Sequence, residues 1–192
     1  MKKHLSKLFM TLLLTAFILI PSSVTSFAAE SNCVIQMENG VTQRRFNNVT
    51  AYYNSMPDNV REYVKNAGWS YEIVSGNLGA RYGYKSILGI TIPDEKIVYI
   101  DNRDKAETSI IHETGHIIDY SLNWASNGDA FESIFQFEHN NLPKFMNTHK
   151  NNYNTSVEYF AESFRAYVQY PALLEKYCPD TYNFMDVLVT NL

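Results

Sequence analysis

The longest apolar stretch lies near the start of the chain. Residues 8–20 (LFMTLLLTAFILI) carry no charge, Lys2, Lys3 and Lys7 precede them, and small or polar residues follow (Ser22, Ser23, Thr25, Ser26, Ala28, Ala29). This pattern reads as a secretory signal peptide spanning residues 1–28, and the run is too short to span a bilayer comfortably. Ser26 and Ala28 put small residues at −3 and −1 of a cut after Ala28. Beyond the leader the patterns are shorter. Residues 30–50 have weak periodicity and several Asn, and read as a poorly ordered lead-in. Residues 57–67 (PDNVREYVKNA) read as a helix opened by Pro57 and closed by Gly68. Residues 69–74 (WSYEIV), 87–92 (ILGITI) and 96–100 (KIVYI) read as strands, with a glycine-rich turn segment over 75–85.

After Asp104 the period becomes helical. Residues 106–122 form an amphipathic helix with Asp104 as its expected cap, and 130–137 form another. Residues 140–153, rich in Asn and holding Pro143, read as a loop. Ser156 is the expected cap of a helix ending near Tyr170 before Pro171, and shorter helices follow over 172–177 and 180–189. Strands in the first half and helices in the second predict an α+β fold, a small N-terminal sheet with a helical C-terminal half.

Composition narrows the classes. The whole chain has 16 Lys and Arg against 20 Asp and Glu. The leader removes three of the basic residues and no acid, so the exported part balances 13 against 20, a net −7. That argues against a nucleic-acid binder with a basic surface. No second apolar run approaches about 18 residues, so a stable membrane anchor is not expected. The 14 Tyr, 11 Phe and 2 Trp exceed what a disordered chain carries. Residues 29–192 suit a single domain. Cys33 and Cys178 are the only cysteines, which leaves a disulfide between them open.

The chemistry concentrates in His112-Glu113-Thr114-Gly115-His116, an H-E-x-x-H motif. At i and i+4 on one helix, both imidazoles leave the same face and can bind one Zn²⁺ at about 2.0–2.1 Å. Glu113 then faces the open metal position, where it can take a proton from water. A third ligand must come from elsewhere. The metzincin extension would need Gly at 119 and His at 122, and the chain has Asp119 and Leu122. The gluzincin arrangement takes a Glu from a second helix, and the candidates are Glu132, Glu138, Glu158, Glu162 and Glu175. Glu158 and Glu162 stand out, one turn apart on a helix whose other face is apolar. One can bind zinc while the other holds a ligand imidazole, and spacing alone leaves the two roles interchangeable. His139 and His149 lie in or beside polar sequence and read as surface residues.

Three blocks in this order, residues 112–119 (HETGHIID), 158–164 (EYFAESF) and 178–184 (CPDTYNF), resemble the peptidase domain of anthrax lethal factor, and still more its small secreted bacterial relatives, the Pro-Pro endopeptidases. The resemblance spans roughly residues 57–190. It implies that His112, His116 and Glu158 hold one zinc ion, that Glu113 is the general base, that Glu162 supports the ligands, and that Asp119 positions the helix or its neighbours. The family also uses a Tyr upstream of the ligand Glu as oxyanion donor. At the usual spacing this chain has Asn151, and Tyr153, two residues later, becomes the candidate. Two further departures concern specificity. The segment 76–95 is shorter than the family's Trp-containing insertion and has no Trp, and Val157 stands where those enzymes carry an acid. Family activity therefore transfers better than a Pro-Pro preference.

Together these readings predict a secreted, extracellular, monomeric bacterial zinc metalloendopeptidase that cuts extended protein or peptide segments, Pro-rich ones among the candidates. The strand around Gly89 and Ile90 is the candidate edge for pairing a substrate strand. The competing reading is a zinc-stabilised binding module on a protease scaffold, without catalysis. Glu113 argues against it, because only catalysis needs a base at that place.

Overall fold

The computed structural model describes residues 34–192; the expected signal peptide and Cys33, and with Cys33 the candidate disulfide, lie outside them. Its sheet has four strands, β1 (Ile35–Met37), β2 (Ser70–Ile73), β3 (Gly89–Ile92) and β4 (Ile97–Ile100), in the order β1-β2-β4-β3. β1, β2 and β4 run parallel, with Tyr71 opposite both Ile35 and Val98. β3 closes back on β4 as an antiparallel edge, with Ile90 opposite Tyr99. Alternate residues of β2 and β4 (Tyr71, Ile73, Val98, Ile100) turn into the core, as period-two burial requires.

Two elements occupy the segment read as a lead-in. β1 is one, and helix α1 (Gln43–Asn54) is the other. The inward stripe of α1 is Arg45, Val49 and Tyr53, so a charged residue stands where an apolar one would have revealed the helix. The guanidinium of Arg45 is buried against the chain after β4. It donates to the Asp101 carbonyl at 3.1 Å and to the Arg103 carbonyl, and it pairs with Glu107. Asp101, also buried, accepts from the Leu78 and Arg103 N–H groups at 2.8 and 2.7 Å. This polar lock fixes the connector leading into the central helix. Helix α2 (Asp58–Asn66) follows the expected pattern, and α3 (Leu78–Tyr82) is a short helix within the glycine-rich turn segment.

The central helix α4 (Ser109–Ser121) begins three residues later than the expected start, after a 3-10 turn over Ala106–Thr108. Asp104 is not its cap; that position is Thr108. Ile110, Ile111, Ile117 and Ile118 are fully buried, and Tyr71 bonds the Thr114 hydroxyl at 2.7 Å. Helix α5 (Asp129–Glu138) precedes two 3-10 turns, His139–Lys144 and Lys150–Asn152, in the segment read as a loop. Helix α6 (Ser156–Gln169) is capped by Thr155 rather than Ser156, its hydroxyl accepting from the Glu158 N–H at 3.2 Å. Helices α7 (Pro171–Tyr177) and α8 (Pro179–Thr190) complete the chain.

The crossing of α4 and α6 sets the geometry of everything that follows. A methyl group on Gly115 would stand 2.6 Å from the Ala161 Cα, so the absence of a side chain at 115 lets the two backbones touch. Below the crossing, Phe131, Tyr159, Phe160 and Phe184 stack at centroid distances of 5.0–6.2 Å and bind the C-terminal helices to α6.

Candidate metal centre and cleft

Close contact at Gly115 brings the polar faces of α4 and α6 together. His112 and His116 project from consecutive turns of α4 with ring centroids 4.9 Å apart. Across the crossing, Glu158 reaches both, Oε2 lying 3.3 Å from His112 Nε2 and Oε1 lying 3.7 Å from His116 Nε2. A ligand atom from each of the three falls within 4.8 Å of the others, and this is the group among the described residues able to hold an ion. Donors about 2.1 Å from a tetrahedral centre are about 3.4 Å from one another, so the observed separations fit zinc. His112 Nδ1, on the far side of its ring, meets the fully buried Glu162 Oε2 at 3.0 Å. That contact favours a proton on Nδ1 and leaves Nε2 to face Glu158.

Charge explains why the cluster wants a cation. Burial opposes protonation of His112, yet its hydrogen bonds to Glu158 and Glu162 outweigh this and hold the ring well above the ordinary histidine range. Burial and the charge on His112 push His116 down to about 4. Burial would raise Glu162, but His112 and Arg165 bring it down to about 2. A divalent ion between Nε2 atoms and Glu158 would satisfy the carboxylates that otherwise keep a proton on His112.

Glu113 is placed differently. It is buried, and burial lifts its carboxyl to about 7 against the opposing pull of His112 and Thr91. The Thr91 hydroxyl donates to Oε2 at 2.7 Å. Two residues earlier on the same strand, a Cβ at Gly89 would lie 2.6 Å from Glu113 Oε1 and 2.7 Å from its Cγ. The glycine at the candidate substrate edge therefore makes room for the Glu113 side chain. β3 positions Glu113 with one residue and clears it with the other.

Above the cluster opens a cleft of about 990 Å³. Ile87 through Thr91 form one wall, with His112, Glu113, His116 and Glu158 among its lining groups. His149, Asn151 and Asn152 also line it, and His149 Nδ1 accepts from the Asn151 N–H at 3.3 Å. Tyr153 is not among the lining residues; its half-buried ring packs against the core. Asp119 is also away from the cluster. It is fully buried, and its carboxylate accepts from Ser126 N–H and Oγ, both at 2.7 Å, so it secures the turn after α4. His139 bonds the Phe135 carbonyl at 2.7 Å, and Trp69 is buried in the core.

Three groups at the site escaped the sequence reading. Thr91 lies at i+2 from Gly89, the period that puts strand residues on one face. Arg165 is three residues after Glu162 on α6 and pairs with it through Nε at 2.9 Å and through Nη2. Tyr120, another cleft-lining residue, is at i+4 from His116. Each spacing was visible, but none carries chemistry until the neighbouring element is in place.

Fold and cluster together define a mixed α+β protein with a partly buried His/Glu group on two crossed helices. The family described as "Anthrax toxin lethal factor, N- and C-terminal domain" matches residues 83–188. The chain belongs to that lethal factor family. Among solved structures, the Pro-Pro endopeptidase PPEP-2 from Paenibacillus alvei superposes with a TM-score of 0.65 at 19% identity. That match covers 81% of this chain and 97% of the other, and it establishes a shared fold. No curated protein sequence matches the chain.

Proposed function

We propose that this protein is a secreted, monomeric zinc metalloendopeptidase acting on extended peptide segments. The observation that carries the reading is the convergence of His112, His116 and Glu158 on one point beside a buried, elevated carboxyl at Glu113. His112, His116 and Glu158 would hold the ion, with Glu162 orienting His112. Zinc bound there supplies Lewis acidity toward water and toward the scissile carbonyl. Glu113 takes the proton of the attacking water and returns it to the leaving amine, a task suited to a carboxyl near neutrality. Thr91 fixes the direction of that carboxylate.

The substrate would lie along β3. This strand is hydrogen-bonded to β4 on one side only, and residues 87–91 border the cleft, so its other edge can pair with an extended chain. Gly89 and Ile90 belong to that edge. Pro-containing segments are among the first substrates to try, since the structural neighbour is named for cutting Pro-Pro bonds. No helix among the described residues is long and apolar enough to cross a membrane.

The test is digestion of a peptide library by the purified chain, with zinc, with chelator, and with Glu113→Gln. Cleavage that needs zinc and disappears in the variant is expected. A zinc-loaded chain that binds peptides and cuts none would instead make it a binding module.

A further inference from the structure

Asn123 and Trp124, just beyond α4, both have left-handed backbones, with φ of 56° and 61°. For an indole-bearing residue this conformation is costly and persists only when its surroundings impose it. Here they do. The Trp124 N–H donates to the Asp119 carbonyl at 2.8 Å, and the Asn127 N–H donates back to the Trp124 carbonyl at 2.9 Å. The Asp119 carboxylate clamps Ser126 through two further bonds. The core gains little from this effort. Trp124 is 39% exposed, while Trp69, the other tryptophan, is 4% exposed.

The indole instead extends a ladder along the cleft. Trp124 stands edge-on to Tyr120 at 5.7 Å, and Tyr120 stands edge-on to Trp69 at 6.1 Å. Tyr120 is one helical turn beyond His116, and Tyr120 and Trp124 line the cleft that holds the His/Glu cluster. A turn advances about 5.4 Å, and an extended peptide advances about 3.3 Å per residue. For a chain running along α4, Tyr120 thus lies about two residues from the reacting carbonyl, and Trp124 lies farther out along the same side.

We infer that Tyr120 and Trp124 form an apolar subsite of the cleft, which takes an aliphatic side chain of the peptide substrate, and that Asp119 is the positioning residue that holds Trp124 there. This rests on the peptidase reading, and its test has a readout independent of cleavage. In a Trp69→Phe, Glu113→Gln background, Trp124 is the sole fluorophore of its kind. Short random-sequence peptide pools, each with one position fixed as Leu, Val, Ser or Asp, are added to the zinc-loaded chain. Acrylamide quenching and wild-type cleavage are then measured in parallel.

Leu and Val pools should shield Trp124 at one fixed position, and Ser and Asp pools should not. In the active chain, Trp124→Ala should reduce the preference for Leu over Ser at that position at least fivefold, mainly through KM, and Trp124→Phe should restore part of it. Asp119→Asn should raise KM in the same direction with zinc content unchanged. Cleavage without shielding, or shielding indifferent to the fixed residue, overturns the subsite and leaves the peptidase standing. Selective shielding without cleavage by the wild type overturns the peptidase and leaves the subsite standing. Absence of any shielding by any pool also overturns the subsite.

Discussion

Glu138 and Glu162 are both buried acids in the helical half, and they have opposite meanings. Glu138, at the end of α5, accepts from the Asp180 N–H at 3.2 Å and from Thr181 N–H and Oγ1 at 2.9 and 2.7 Å. Its partners are mostly backbone donors at the first turn of α8, where negative charge is favoured. Glu162 faces a partner that can exchange protons, the His112 ring, with the Arg165 guanidinium on its other side. A carboxylate satisfied by fixed donors closes a structure. A carboxylate satisfied by an imidazole at the wall of a cleft tunes a ligand. Composition cannot separate the two cases, because both are Glu on helices among aromatic neighbours.

The largest effect that would test this contrast is at Glu113, the buried acid with the fewest fixed donors. Glu113→Gln should lower kcat by about 10²–10⁴ while zinc content, measured by atomic absorption, stays at that of the wild type. The same variant carries a pH signature in metal-free protein. Burial lifts the folded carboxyl to about 7 from an ordinary value of 4.5, so the fold favours its protonated form. The wild type then loses stability relative to Glu113→Gln as pH rises from about 4.5 to about 7, and the difference stays constant above that window. Parallel melting curves of the two proteins across that range check the sign, and an unchanging difference would contradict the burial argument.

Gly89→Ala comes next. The strand backbone tolerates Ala, but the new methyl group falls on the Glu113 side chain. A displaced base should cost about 10² in kcat, with zinc content retained and melting temperature little changed. Activity that survives would mean that Glu113 has another place to stand.

The direct comparison follows. Glu162→Gln should weaken zinc about 10–100-fold, read by competition with a chelating dye. Glu138→Gln should leave zinc affinity and cleavage unaltered and lower stability by about 1–3 kcal/mol, because an amide N–H2 would then confront donors at the α8 terminus. If Glu138→Gln weakened zinc as much as Glu162→Gln, the division between structural and functional acids would fail.

Much of the site was legible because helical periodicity is a covalent ruler. His112, Glu113 and His116 carry their relative geometry in one helix, and so do Glu158 and Glu162 in another. The ruler stops at the helix end. Which of Glu158 and Glu162 faces the imidazole Nε2 atoms depends on how α4 crosses α6, and that is set by the contact of Gly115 with Ala161. Arg45 hid α1 by placing a charge on its inward stripe. Trp124 was invisible for a different reason: its place in the cleft comes from a left-handed turn that no side-chain pattern announces.

Tyr153 should give the smallest effect, and it tests the same boundary between what a residue type suggests and where the chain puts it. Upstream of a ligand Glu, a phenol is the expected oxyanion donor, and losing such a donor costs about 10²–10³ in kcat. In the structure, however, the residues that line the cleft are Asn147 to His149, Asn151, Asn152 and Val157, while the Tyr153 ring packs against the core. Tyr153→Phe keeps that packing and removes only the hydroxyl. Kcat and KM within about twofold of wild type are therefore expected, since substitutions that leave packing and paired polar groups intact change little. A large fall in kcat alone, with zinc content and melting temperature unchanged, would show that the 147–153 segment rearranges around bound peptide and swings the phenol into the cleft.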